Sequence, residues 1–248
     1  VNKTGGIAGI MAMTHGGLRE YPAGAVVLAT AGFQANHEML LKYFGPEFTY
    51  GVRLTGSPHS TGDGHIMANE IGAQMINLDQ FHTRTIDRSW RPGSTGSPGP
   101  VRNLQNLYPY AILVNSGGQR FMDESTTSNT IACSILKQSE ATVAMIFDEK
   151  IRLLYPEEVK GYRPANVIIK ADSLEELAKK IEAPYKVLQE TLQSFNRAVE
   201  ENKAALLPAP KRKCAHKIEV PPFYAIYPLW SGLNCTLGGV KINTEARV

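Results

Sequence analysis

The sequence has no G-x-G-x-x-G turn. Its nearest glycine clusters, Gly5-Gly6 with Gly9 and Gly16-Gly17, have other spacings and no apolar helical run behind them. The chain's own residues therefore supply no strand–turn–helix cradle for a dinucleotide pyrophosphate. Cysteine is scarce. Cys133, Cys214 and Cys235 stand far apart without a C-x-x-C pair, which argues against a disulfide framework and against a zinc site and predicts a reducing, cytoplasmic setting. No stretch approaches the roughly 20 apolar residues a membrane-spanning helix needs. Charge of one sign is lacking too: 26 Lys and Arg against 23 Asp and Glu leave a net +3. The basic run Lys211-Arg212-Lys213 is short and has no aromatic interleaving, so a nucleic-acid groove is not expected. No internal repeat is visible.

What is present is ordinary for a globular chain of 248 residues with 43% hydrophobic content. His15-Gly16-Gly17 reads as a hairpin turn. Ala25-Val26-Val27-Leu28-Ala29 is continuous and β-branched, which predicts a buried strand. Asn36 caps a helix that Gly45-Pro46 stops near Tyr43, and Asp63 doubles as the N-cap of a helix that Gly72 ends. A strand is expected at Gln74 to Asn77. The Pro/Gly-rich stretch 91–101 reads as a loop. Ala111 to Asn115 predicts a strand turning at Ser116-Gly117-Gly118 into a hairpin partner, Gln119 to Met122. Ser125 to Thr127 caps a helix to about Lys137, and Ala141 to Asp148 is a central strand. Val167 to Lys170 is another strand. Ser173 with Glu176 forms a capping box, and Val187, Leu188, Leu192, Phe195 and Val199 mark an amphipathic helix that starts at Pro184. Residues 203–215 read as a Pro- and Lys-rich loop.

Four motifs follow one another at domain-scale spacing: Ala29-Thr30-Ala31-Gly32-Phe33, Ser60-Thr61-Gly62-Asp63-Gly64, Arg120-Phe121-Met122-Asp123-Glu124 and Thr236-Leu237-Gly238-Gly239. Together they resemble the flavoprotein subunits of the fumarate reductase and succinate dehydrogenase family, with wording closest to tricarballylate dehydrogenase-like proteins. The resemblance covers nearly the whole chain. It implies an α+β fold: a fumarate reductase-type capping domain plus an incomplete part of the α/β FAD-binding domain. Residues 1–77 and 235–248 would belong to the FAD domain and 78–234 to the cap. Because such proteins carry a pyrophosphate fingerprint before these motifs, the chain is expected to be an internal piece of a longer flavoenzyme, and on its own to bind no FAD.

The same resemblance assigns Ala29, Thr30, Ala31, Gly32, Thr61, Gly62 and Asp63 to the cofactor and His82, Ser128 and Thr236 to the substrate. Small residues in the first group let backbone approach a flat ring system closely. A protonated histidine offers two donors to an anion. The departures are equally specific. Thr126-Thr127-Ser128-Asn129 stands where fumarate reductases have T-T-R-D, and a serine does not replace a permanently charged arginine as proton relay. Cys235 replaces a second histidine. The glutamate and arginine of a V-R-G segment are missing, with Leu104 to Tyr108 in their place. Arg84, Arg88, Arg91 and Arg102, with Tyr108 and Tyr110, are the polar groups left to serve a polycarboxylate, although charged side chains usually stay solvated. Arg120 and Glu124 read as a structural pair within the cap. The implied function is FAD-dependent hydride transfer between flavin and a C–C bond next to a carboxylate, tricarballylate dehydrogenase-like. The alternatives are a fumarate reductase-like or 3-ketosteroid dehydrogenase-like enzyme, or a non-catalytic ligand-binding homologue. The expected partners are a small carboxylate and an electron-carrying protein or quinone.

Overall fold

The structure, a computed structural model, describes residues 6–91, 104–156 and 167–248. Its main sheet is built on one long strand, β9 (Phe223–Thr236). The first part of β9 is flanked by β7 (Thr142–Asp148) and β8 (Ile168–Ala171), both antiparallel to it. The last part is flanked by β5 (Phe81–Asp87), antiparallel, and by the two-residue β3 (Arg53–Leu54), the one parallel neighbour. β6 (Ile112–Asn115) extends the sheet beyond β7 to make six strands. Breaks in register occur between Val143 and Met145 and between His82 and Thr83. The second bulge lets His82 pair with Cys235 and Thr83 with Leu233, leaving Asn234 as the extra residue.

Helices cover both faces. On one face, α4 (Ser128–Leu136) and α5 (Glu149–Leu154) pack with Leu113, Val143, Met145, Phe147 and Leu229. On the other, α6 (Leu174–Lys180) and α7 (Tyr185–Glu200) bury Leu177, Leu188, Leu192 and Phe195 against Ile112, Val114, Ile146 and Ala225. β7 is buried almost throughout, as expected of a strand covered on both faces. α1 (His37–Gly51) is capped by the Asn36 side chain, which accepts from Met39 N–H. It breaks at Gly45 (φ 81°) ahead of Pro46, the expected stop, but a further turn follows it. Phe44, Phe48, Phe33 and Phe81 then form an aromatic cluster. α3 (Leu104–Leu107) leads through a short 3-10 turn into β6.

Two smaller ladders lie outside this sheet: the hairpin β1 (Gly9–Thr14) with β2 (Gly17–Pro22), and β4 (Met75–Ile76) with β10 (Gly239–Val240). The chain contains three departures from expectation. Ala25–Ala29 is not a strand: no described segment pairs with it, and Val27 is 88% exposed. A β-branched run needs a partner ladder to become a buried strand. Asp63 is not the cap of α2 (Asp63–Glu70). Gly62, left-handed at φ 83°, holds that position, and Asp63 instead accepts from the Thr61 hydroxyl. Gln119–Met122 adds a single bridge, Val114 to Arg120, rather than a strand. The 91–101 loop lies almost wholly outside the described residues.

The stretch 203–215 is anchored, not a free loop. Lys211, 2% exposed, donates to the Tyr108 and Ala111 carbonyls and pairs with Glu124 at 3.2 Å. Arg120 holds both oxygens of Glu124, at 3.0 and 2.7 Å, and donates to the Ala209 and Pro210 carbonyls. Glu124 also accepts from Leu113 N–H. One buried carboxylate thus fixes two cations, β6 and residues 209–211. Glu124→Gln leaves both cations without their counter-charge and is expected to cost about 3–5 kcal/mol, read as the shift in urea unfolding.

Glu149, Arg152 and Tyr224 tie α5 to β9. Arg152 holds the Glu149 carboxyl at about 2, below its ordinary 4.5. An acid whose folded value is depressed stabilises the fold above its unfolded value and loses that contribution as pH falls through the folded one. The melting-temperature gap between wild type and Glu149→Gln is therefore expected to be constant above pH 4.5 and to shrink toward pH 2, followed by thermal unfolding across that range.

Candidate functional site

The C-terminal end of β9 meets the loops that carry the glycine motifs. Thr236 Oγ1 accepts from Phe33 N–H at 3.0 Å, and Gly32 C=O accepts from Gly62 N–H at 3.2 Å. Asn36 Nδ2 donates to Thr61 C=O, while Ala35 N–H donates to Ser60 C=O. The approach is so close that a Cβ at Gly32 would overlap Thr236 Oγ1 and one at Gly64 would overlap Thr30 Oγ1. The structure therefore brings Thr30, Gly32, Thr61, Gly62 and Thr236 into one cluster, with Ala29, Ala31 and Asp63 exposed beside it. Thr236 uses its oxygen as an acceptor here, so its hydroxyl proton is the part left to give. His65, which sequence reasoning passed over, closes the cluster: Nε2 lies 3.1 Å from Gly238 C=O, and buried Nδ1 has no partner. Its position on a short helix gave no sequence signal.

Residues opposite one another in a ladder share a face. Phe81 pairs with Thr236 and His82 with Cys235. The two functional candidates on β5 and β9 therefore point to opposite faces. Thr236 turns with Phe81 toward the aromatic cluster; His82 turns with Cys235 to the other side, exposed. Ser128 reaches the neighbourhood by another route. Asn129 Oδ1 accepts from both the N–H and the hydroxyl of Thr83, each at 2.8 Å, so the start of α4 is fastened to β5 on the Thr236 face, opposite His82. Thr127 caps α4 by accepting from Thr130 N–H. Ser128 Oγ is buried and unpartnered, a state that calls for a ligand or water. Cys133 Sγ lies 3.7 Å from Thr83 Oγ1.

The remaining polar candidates separate cleanly. Arg88 donates twice to Tyr227 C=O, and Arg91 donates to the Arg88 and Trp90 carbonyls; both are occupied by backbone. Arg102 lies outside the described residues. Arg84 remains, with buried Nε unpartnered and its guanidinium pKa lowered by burial. Tyr108 is 2% exposed in the core, its phenol pushed well up by burial and then by the Asp87 charge. It is a core residue with an orphaned hydroxyl. Tyr110 stacks on Tyr155, centroids 3.6 Å apart. Neither tyrosine stands beside His82 in the ladder. Among the described residues no group of His, Cys, Asp and Glu is arranged to hold a metal ion.

Residues 1–248 match the FAD binding domain family. The chain belongs to that family. Relatives include the NADH:acrylate oxidoreductase of Vibrio harveyi, 31% identical and covering 90% of this chain but 22% of its own length. The probable fumarate reductase Ifc3 of Shewanella frigidimarina is 33% identical, covering 94% and 38%. The urocanate reductase of Eggerthella lenta is 30% identical, covering 99% and 40%. The chain thus spans well under half the length of these curated relatives. The open conformation of a flavocytochrome c3 fumarate reductase superposes over 100% of this chain and 43% of its own, with TM-score 0.74 at 28% identity. A 3-ketosteroid delta1-dehydrogenase from Sterolibacterium denitrificans shares the fold, TM-score 0.69 at 24% identity.

FAD is the cofactor this family implies, and the residues present fit one side of it. Backbone 29–31 is exposed and makes no backbone hydrogen bond among the described residues, with small side chains at Ala29 and Ala31 and a left-handed turn at Ala31 (φ 58°). It adjoins the Gly62–Gly64 turn, where only hydrogen can face Thr30 and Met39. These groups would hold the cofactor by backbone contact; no fingerprint for its pyrophosphate occurs in the sequence. Gly32→Ala would force Thr236 and residue 32 apart. In a flavoenzyme that joins these residues to a pyrophosphate fingerprint, it is expected to lower the flavin retained per protein several-fold while leaving the Lys211 network intact, measured by flavin absorbance and circular dichroism together.

Proposed function

We propose that the protein belongs to an FAD-dependent oxidoreductase that saturates a C=C bond conjugated to a carboxylate. The observation that carries this reading is the junction of β5 and β9: one antiparallel pair places Thr236 against the cofactor-loop glycine Gly32 and, one residue away, His82 beside Cys235 on a solvent-open face. Relatives named for acrylate, fumarate and urocanate reduction support it. They favour reduction over the tricarballylate desaturation that the sequence wording suggested.

When bound, FAD supplies hydride transfer. The chain's own residues bind and orient the acid. His82 gives a charge-assisted hydrogen bond to the carboxylate. Ser128 Oγ, buried without a partner beside the Thr83–Asn129 junction on the Thr236 face of the sheet, is the neutral donor that stands where fumarate reductases carry arginine by resemblance. Thr236 holds the Phe33 amide and so fixes the distance between cofactor loop and substrate strand. This division of roles gives orientation from neutral and switchable donors rather than from a fixed arginine charge.

A second reading rests on the same serine. Loss of the arginine at 128 and of the histidine at 235 favours a homologue that binds an acid without turning it over. Anaerobic assay with reduced methyl viologen, on a FAD-loaded flavoenzyme that joins these residues to a pyrophosphate fingerprint, separates the two. Acrylate, fumarate or urocanate is expected to reoxidise the viologen, and His82→Ala is expected to raise KM about 10- to 100-fold, the cost of one hydrogen bond to a charged group. Reduction of none of the three acids overturns the enzymatic reading.

A further inference from the structure

His82 is not alone on its face. Side chains alternate along a strand, so Arg84 points the same way about 7 Å further on. Arg84 pairs with Gly232 across β5 and β9, and Gly232 pairs with Arg53 across β9 and β3. Arg53, Gly232 and Arg84 therefore stand abreast on three neighbouring strands, and both arginines leave the sheet on the His82 face. Their Cα atoms are two strand spacings apart, about 9.6 Å. Gly232 puts no side chain between them; Thr55 and Ile86 methyl groups pack over it instead. The ground between the two cations is apolar.

Neither arginine has a carboxylate partner among the described residues, whereas Arg120, Arg152, Arg212 and Arg247 each have one. Arg53 is stacked on Trp230, its guanidinium 3.5 Å from the ring centroid, and lies 5.6 Å from that of Trp90. Arg84 Nε and Trp90 Nε1 are buried with no hydrogen-bond partner. Both are donors with no capacity to accept, so the partner they lack is an acceptor. Buried donors are rarely left unsatisfied, and a guanidinium in a fixed fork recognises a carboxylate with two parallel bonds. Burial lowers the pKa of both arginines.

We propose that Arg84, assisted by Arg53, forms a second anion subsite on this face, and that the substrate is an acid bearing a second carboxylate some 7 Å or more beyond the one held at His82. This rests on the reading of His82 given above and narrows it: the protein takes a long dicarboxylate in preference to a monoacid. Trp230 and Trp90 form the apolar wall beside the subsite, and the Thr55 and Ile86 methyl groups form its floor.

The chain's two tryptophans are Trp90 and Trp230, so the chain's intrinsic indole fluorescence reports from this patch. Titration of the chain at constant ionic strength with succinate, glutarate and adipate is expected to give a saturable change, tightest for the longer diacids, with propionate and inorganic phosphate weak. Arg84→Gln is expected to weaken diacid binding at least about tenfold, Arg53→Gln less, and Arg88→Gln not at all, since Arg88 is held by Tyr227 C=O. Should Arg84→Gln fail to fold, Arg84→Lys keeps the charge, loses the fork, and is expected to give an intermediate loss. Diacids that bind no tighter than propionate, or variants at Arg84 that bind as wild type does, overturn the proposal. Failure of acrylate turnover with diacid binding intact counts against the enzymatic reading and leaves the subsite standing.

Discussion

The structure depends on the two-sided pairing of β9. This one strand hydrogen-bonds to four others, β7 and β8 along its first part and β3 and β5 along its second. Backbone groups buried in such a strand have no water to return to, so each must find a ladder partner. That demand locks β5, and with it His82 and Arg84, at a fixed height relative to Thr236 and the cofactor loops. The bulge at Asn234 sets which residues face which way. Without it, the alternation of β9 against β5 would put Thr236 on the His82 face.

The buried ion cluster of Glu124, Arg120 and Lys211 works at the other end of the same sheet. Ion pairs taken out of water gain little net stability, because desolvation offsets attraction. Their value here is positional. Glu124 accepts from Leu113 N–H inside β6 while its two cations grip the carbonyls of residues 108, 111, 209 and 210. A segment rich in proline and lysine is thereby held against the core without secondary structure of its own. The contrast with Arg53 and Arg84 is informative. The protein neutralises the charge it uses for architecture, while the charge that faces the open side of the sheet has no carboxylate partner among the described residues.

The site differs from its relatives by resemblance in the kind of donor it presents. A serine hydroxyl and a histidine–cysteine pair stand where arginine and two histidines are expected, and an arginine appears two residues along the same strand. In the proposed second subsite, fixed positive charge stands on β5 and β3 beyond the His82–Cys235 pair, which would lengthen the reach between anion-binding groups.

Much of the architecture was legible from local pattern. The helix caps at Asn36, Thr127 and Ser173, the turn at Gly118 and the buried run of β7 all follow from short-range chemistry that a sequence displays: a side-chain oxygen placed before an apolar period, or β-branched residues between turn signals. The glycine motifs were legible as well, because only hydrogen fits where two backbones touch. Tertiary structure alone decided the rest. Ala25–Ala29 has the composition of a buried strand yet pairs with no described segment, since strand formation is settled by a partner that composition does not contain. Lys211 reads as one of three solvated cations until Glu124, 87 positions earlier, is folded against it. Arg84 is one of four equivalent arginines in the sequence; in the fold it sits inside β5, where pairing with β9 fixes its face, while Arg88 and Arg91 fall beyond the end of that strand and give their donors to backbone carbonyls, contacts that neighbours in the chain do not display.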